Sequence, residues 1–165
     1  MMDVETLIAT RDEVRPLSVG VVPAGDLSSP IFLQNERDAF VVFDALVEGS
    51  DTRCGCAMIR LQSCLVTRFG YPNDRELLAL MGPQLYPRGP GIYGVFEVHN
   101  SSWIAEIQEQ QQRCLPYLAI PSRRHILITF QGSTFEAIAQ AVSAVTLEET
   151  RSSAVSTLTQ VLLRG

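Results

Sequence analysis

The segment from Arg124 to Glu136 constrains the fold more than any other part of the sequence. An alternating apolar run, 125–130, leads into Gln131-Gly-Ser133, a turn typical of a β-hairpin. After the turn, apolar residues recur at a spacing that also fits an amphipathic helix, so 134–145 is open between strand and helix. Because the turn directly follows a strand, we predict a returning strand over 134–140.

Pairing across this hairpin decides whether its polar residues can act together. If the strands pair symmetrically about Gly132, residue 128 lies opposite Glu136 and His125 lies further along. His125 and Glu136 then need not meet, although a twisted sheet leaves a diagonal contact open. We therefore predict that the main role of the hairpin is structural, and we favour a functional site there less.

The remaining elements predict an α+β fold with a mainly antiparallel sheet of about six to eight strands and two or three helices packed on it. Strands are predicted at 18–23, 31–34, 39–45, 56–61 with a continuation over 63–69, and 92–99. The strand at 39–45 is apolar on both faces and should be central. Helices are predicted at 76–81, 102–113 and 147–163. The N-caps are expected at Asn73 or Asp74, within Asn100–Ser102, and in a Thr146/Glu149 capping box.

Length and composition exclude several classes of protein. A chain of 165 residues with 46% apolar and 19% charged residues fits one globular domain, residues 1–165. The net charge of −5 disfavours nucleic-acid binding. All 13 basic residues are arginine, so neither a lysine Schiff base nor a phosphate-loop lysine is available, and we expect no cofactor. No export signal or membrane-spanning apolar run is visible, which predicts a cytoplasmic protein.

The four cysteines, Cys54, Cys56, Cys64 and Cys114, are expected to be reduced. On an extended strand Cys54 and Cys56 would face the same side, which suits either zinc binding or simple burial. The spacing lacks a Cys-x2-Cys pair. We therefore favour burial and expect no metal.

Catalytic candidates centre on the two histidines. His125 near Glu136, or His99 at a strand-to-helix junction, can act as a general base, but a hydrogen-bonded structural histidine is the commoner case. After His99, exposed backbone N–H groups can receive an anion, and Ser101 can assist. A nucleophilic serine needs a histidine and a third orienting group, and the sequence has no Gly-x-Ser-x-Gly motif. Helix capping is therefore the favoured role for these serines.

The binding candidates lie in loops and at strand ends. One group sits between Arg68 and Asp74, where it can line a pocket or simply form a turn. Arg123-Arg124 can clamp a phosphate or carboxylate, although adjacent arginines are usually solvated. The binding residues predicted from the sequence are Arg68, Tyr71, Asn73, Asp74, Ser101 and Arg124.

Three motifs resemble those of a family of small bacterial proteins: Phe69-Gly-Tyr-Pro-Asn-Asp74, Asn100-Ser-Ser-Trp-Ile104, and His125 through Phe135-Glu136. The resemblance covers roughly residues 55–140 and implies one compact domain containing the hairpin. No activity is established for that family, so the resemblance implies none. Its members often have His-Asp where this chain has Gln131-Gly132, which speaks against chemistry at that turn.

Three functions remain open. The first is a non-catalytic accessory protein that binds a small molecule or a protein partner, since no recognised catalytic spacing is present. The second is a small hydrolase or isomerase with His125 or His99 as base and Glu136 or Asp74 as its partner. The third is a structural homo-oligomer, such as a homodimer, built through exposed edge strands.

Overall fold

The computed structural model describes residues 12–25, 29–73, 75, 76, 79 and 93–164. Its strands are β1 Glu13–Pro16, β2 Val21–Pro23, β3 Ile31–Gln34, β4 Ala39–Val47, β5 Arg53–Gln62, β6 Val66–Gly70, β7 Gly94–His99, β8 Arg124–Thr129, β9 Thr134–Ala139 and β10 Ala141–Leu147. Its helices are α1 Ser102–Cys114 and α2 Arg151–Arg164.

The strands form two antiparallel sheets where the sequence predicted one. Sheet A has the order β1-β7-β8-β9-β6, and sheet B has the order β10-β5-β4-β2, with β3 also paired to β4. The α+β class and the antiparallel pairing are confirmed. Alternation along a strand shows that one face is buried, but it does not show against which sheet. The division of the strands between two sheets was therefore missed.

The two sheets pack face to face around one hydrophobic core. Sheet B contributes Phe43, Ile59 and Leu61, and sheet A contributes Ile128 and Phe135. All five side chains are essentially inaccessible to solvent. Strand β4 is buried on both faces, because α2 covers its outer side, so its predicted central position is confirmed.

A bent two-stranded ribbon connects the sheets at one corner. In sheet B, β5 pairs with β10, and in sheet A their continuations β6 and β9 pair with each other. The bend falls at Ser63, whose φ is +48°, and at Gln140, which donates a backbone hydrogen bond to Gln62 O at 3.0 Å. The predicted continuation of the 56–61 strand past a bulge is therefore present, but it lies in the other sheet.

The C-terminal helix begins later than the sequence predicted. Residues 141–147 are strand, so the Thr146/Glu149 capping box is wrong. Thr150 precedes the helix instead. Its carbonyl accepts from Ala154 N at 2.9 Å and its hydroxyl from Ser153 N at 3.3 Å. Once β10 pairs along β5, the helix can start only after the chain leaves that sheet.

The other local predictions have mixed outcomes. The strand over 134–140 is confirmed as β9, and the 102–113 helix and its serine cap are confirmed in α1. The predicted helix over 76–81 falls mostly outside the described residues. Asn73 Oδ1 accepts from the backbone N–H groups of Arg75 and Glu76, as an N-cap does. Among the described residues, no helix is long and apolar enough to cross a membrane.

Candidate functional site

His125 is buried on the outer face of sheet A, beneath the first turn of α1. It is 4% exposed and pairs with Val98 of β7 and Ile138 of β9. Glu136 pairs with Leu127, one diagonal step from His125 on the same face. The predicted pairing of residue 128 with Glu136 is therefore wrong by one residue. Because side chains alternate between faces, that one residue places Glu136 beside the histidine.

A buried hydrogen bond joins His125 to the start of α1. Ser101 Oγ lies 2.8 Å from His125 Nδ1, and the same oxygen accepts from Ile104 N at 3.1 Å. Ile104 N–H uses one of the two lone pairs of this oxygen. In the tautomer with its proton on Nε2, the serine O–H donates to Nδ1, and in the other tautomer Nδ1–H donates to the serine.

The other ring nitrogen faces a carboxylate. His125 Nε2 is 3.6 Å from Glu136 Oε1. It is buried without a hydrogen-bond partner among the described residues. At this distance the carboxylate lies just beyond hydrogen-bonding range of Nε2. The order along the cluster is therefore Ser101, imidazole, Glu136.

Trp103 packs against the imidazole, and Arg68 in turn stacks on Trp103. Neither contact was predicted. Trp103 lies edge-on to His125, with ring centroids 5.3 Å apart. The guanidinium carbon of Arg68 is 3.8 Å from the Trp103 ring centroid, in a cation–π contact. Arg68 pairs with Glu136 across β6 and β9, so both lie on the face that carries the histidine. The stack shields the Ser101–His125 pair from solvent on that side.

A cavity lies on each side of α1. The first, which we call the α1–β8 cavity, has a volume of about 340 Å³. Its lining includes Val98, Asn100, Ser101, Ile104, Arg123 and His125. The second has a volume of about 370 Å³ and is lined in part by Arg68, Trp103 and Ile107. Ser101 and His125 therefore border the first cavity, and the Arg68–Trp103 stack borders the second.

The strand-to-helix junction differs from the predicted anion site. Asp12 occupies the start of α1, accepting from Ser102 N at 2.6 Å and from Ser102 Oγ at 3.0 Å. The helix N-terminus therefore already binds an internal carboxylate. Asn100, which precedes Ser101, has φ +52°, a left-handed conformation that asparagine tolerates better than most residues. His99 lines the α1–β8 cavity without belonging to the Ser101–His125 cluster.

The two adjacent arginines behave differently. Arg124 donates from Nε and Nη2 to the two carboxylate oxygens of Glu97, at 2.8 and 2.7 Å. This ion pair lowers the pKa of Glu97 and raises that of Arg124. Arg123 donates a long 3.5 Å bond to Ser63 O, and its buried Nε has no hydrogen-bond partner among the described residues. Arg124 is therefore engaged within the fold, and Arg123 retains unused donor capacity.

The predicted binding residues do not form one site. Ser101 and Arg124 line the α1–β8 cavity, and Arg68 lines the other. Tyr71 is 76% exposed, and Asn73 is used as a helix cap. The position of Asp74 lies outside the described residues. The segment that begins at Arg68 thus contributes one stacking residue, Arg68, and one cap, Asn73.

The cysteines point to different parts of the fold. Gly55, with φ +82°, lies where the register between β4 and β5 shifts. As a result Cys54 packs against the core between the sheets, whereas Cys56 packs beneath α2. The prediction that they share a side is wrong. Burial raises the pKa of both Cys56 and Cys64, which favours the neutral thiol. Among the described residues no cluster of three or more His, Cys, Asp or Glu side chains could hold a metal ion.

Comparisons of this chain with protein-family models, with curated proteins and with solved structures found no match.

Proposed function

We propose that the protein binds a small anionic molecule, bearing a carboxylate or a phosphate, in the α1–β8 cavity. The proposal rests on Arg123, which lines this cavity. Its Nε is buried and has no hydrogen-bond partner among the described residues. Buried donors are nearly always satisfied by protein, water or ligand, and a charged donor most strongly favours an anionic acceptor.

The charges around the cavity support an anionic ligand. Glu97 and Arg124 neutralise each other through two hydrogen bonds. Asp12 is bound at Ser102 and offsets the partial positive charge of the helix end. Among these charged groups Arg123 is the one without a compensating carboxylate in the contacts described above, so it would supply the attraction.

The size and walls of the cavity support a small ligand. A volume of about 340 Å³ lies at the lower end of the range for small-molecule sites. Val98, Ile104 and Ala105 provide apolar surface, whereas Asn100 and Gln108 provide hydrogen-bonding groups. A compact molecule with an acidic group at one end and an apolar body fits these walls.

Isothermal titration calorimetry with a panel of small carboxylates and phosphate monoesters tests the proposal. We expect at least one anion to bind, and Arg123→Gln to weaken it by about tenfold or more, as expected for loss of one charge-assisted hydrogen bond. Arg113→Gln is the matched control, since Arg113 is exposed and pairs with Glu109 on the surface of α1. Equal binding by the wild type and Arg123→Gln, or binding of none of the anions, would overturn the proposal.

A further inference from the structure

We propose that Ser101 is the nucleophile of an ester-hydrolysing site, with His125 as its general base and Glu136 as the residue that positions the imidazole. This activity uses the α1–β8 cavity of the proposed function, but it does not depend on a preference for anions. The proposal rests on the geometry of three side chains, from the N-cap of α1, from β8 and from β9.

A nucleophilic serine requires a base within hydrogen-bonding range and a third group that orients the base. Ser101 Oγ is 2.8 Å from His125 Nδ1. Glu136 Oε1 is 3.6 Å from Nε2 and lies on the same face of the sheet. The serine here meets Nδ1 and the acid faces Nε2. Either nitrogen can accept a proton when the other carries one, so the Ser101–His125 bond supplies the base. Glu136 is the candidate third group, since it lies within ion-pair distance of Nε2 without a hydrogen bond to it.

The proposed reaction uses the tautomer that carries its proton on Nε2. In that tautomer Ile104 N–H donates to Ser101 Oγ and the serine O–H donates to Nδ1. When Nδ1 takes that proton, the imidazole becomes a cation that faces the Glu136 carboxylate. A cation beside a carboxylate is stabilised most where water is excluded, and His125 is 4% exposed. The Trp103 and Arg68 stack contributes to that exclusion.

The position of Ser101 in the chain gives it access to a substrate. It lies between β7 and α1, directly after Asn100 with its φ of +52°. Ser101 is 7% exposed, and both Ser101 and His125 line the α1–β8 cavity, from which we expect an ester to approach Oγ. The first turn of α1 carries partial positive charge that favours negative charge on the attacked carbonyl oxygen. Asp12 offsets part of that charge, so we expect a slow hydrolase.

The reaction proceeds in two balanced steps. Ser101 Oγ attacks the ester carbonyl, its proton passes to His125 Nδ1, and the alcohol leaves with that proton as the acyl-serine forms. Water then attacks the acyl-serine and gives one proton to Nδ1. Oγ leaves with that proton, which releases a carboxylic acid and restores Ser101. No oxidant, reductant or metal is needed.

The test uses a small, neutral alkyl fluorophosphonate on the intact wild-type protein, followed by mass spectrometry and peptide mapping. Attack by Oγ forms an O–P bond and expels fluoride, so one adduct is expected on Ser101. His125→Gln should slow labelling by about 10²-fold or more, the range for loss of a general base. Ser102→Ala, next in sequence but bound to Asp12, is the matched control and should label at the wild-type rate.

Glu136→Gln separates a positioning role from a structural one. It should lower kcat for a p-nitrophenyl ester by about tenfold or more while KM changes little, because the acid does not touch the substrate. Circular dichroism and urea unfolding establish that each variant is folded. Because the probe is neutral, its labelling of Ser101 does not require the anion binding tested by calorimetry, so loss of anion binding and loss of hydrolysis can be told apart.

Two results overturn the proposal. One is the absence of an adduct at Ser101 in folded wild-type protein. The other is an adduct whose rate is the same in His125→Gln. Either result would make the Ser101–His125 bond solely an anchor for the start of α1.

Discussion

Glu136 lies diagonally across the β8–β9 hairpin from His125, with its Oε1 3.6 Å from Nε2. The proximity follows from the pairing of Leu127 with Glu136, which puts the carboxylate and the imidazole on one face. A pairing shifted by one residue would have turned Glu136 toward the core between the sheets. The register of this hairpin therefore places two residues of the candidate site, His125 and Glu136, next to each other.

The contact between His125 and Trp103, the one tryptophan of the chain, should be visible in fluorescence. The two rings lie edge-on with their centroids 5.3 Å apart, so the imidazole forms part of the surroundings of the indole. At a fixed pH we expect His125→Gln to change the emission of Trp103, whereas His99→Gln should leave it unchanged. Emission that is the same in His125→Gln and in the wild type would contradict this contact.

The hairpin itself could be predicted from the sequence, but the register of its two strands could not. Symmetric pairing about Gly132 assumes a three-residue loop, whereas Phe130 N donates to Ser133 O and leaves a two-residue loop, Gln131-Gly132. Both loop lengths suit a Gln-Gly-Ser turn, so sequence chemistry alone does not choose between them. Burial of the apolar residues on each face decides the register.

The remaining parts of the site depend on contacts between distant segments. Ser101 was predicted as a helix cap from its place before an apolar helical pattern, and its bond to His125 spans 24 residues of sequence. The Arg68–Trp103 stack joins β6 to α1, and no periodicity brings those elements together. The sequence motifs that contain these residues could be singled out, because each combines polar and aromatic side chains. The two-sheet topology, which the sequence did not predict, brings these motifs together in space.

Ser101→Ala should destabilise the protein more than loss of an ordinary helix cap. Removing an N-cap hydroxyl costs about 1 kcal/mol. Leaving buried His125 Nδ1 without its partner adds about 1–3 kcal/mol. Thr150→Ala is the matched control, because Thr150 Oγ1 accepts from Ser153 N at the start of α2. Urea unfolding should show a cost of about 2–4 kcal/mol for Ser101→Ala and about 1 kcal/mol for Thr150→Ala. Equal losses would mean that the histidine bond adds nothing to stability.

Gly55 should tolerate no side chain without a loss of stability, although there is room for one. Among the described residues, a Cβ at this position would have one atom within 4 Å, Leu147 O at 3.8 Å, so steric contact with neighbours is not the limit. Its φ of +82° is the limit, and left-handed backbone costs a non-glycine residue about 1–2 kcal/mol. Gly55→Ala should therefore lower the free energy of unfolding by that amount. Gly132→Ala, also in open space but without positive φ, should change it by less than about 0.5 kcal/mol. A cost at Gly132 as large as at Gly55 would contradict this account.

Asp38 lies at the corner where the sheets join and should make the free energy of unfolding depend on pH. Burial alone would raise the pKa of Asp38, but hydrogen bonds from Arg60 and from Ser63 N outweigh it, so the folded-state pKa is lowered. The folded protein then binds fewer protons than the unfolded chain near that pKa. The stabilisation is fully present above the unfolded value, about 3.9, and is lost as the pH falls through the folded value.

Asp38→Asn separates this charge effect from hydrogen bonding, since the amide oxygen can still accept from Ser63 N. At pH 7 we expect the variant to be less stable than the wild type by about 1 kcal/mol, because Arg60 is partly exposed and solvent screens the pair. The difference should shrink as the pH falls below the unfolded value, about 3.9, and through the lowered folded pKa of Asp38. Asp51→Asn, at an exposed position, serves as the control. Urea unfolding at pH 7 and at a series of pH values below about 3.9 measures the difference. A deficit in Asp38→Asn that stays constant over this series would assign the loss to packing instead of charge.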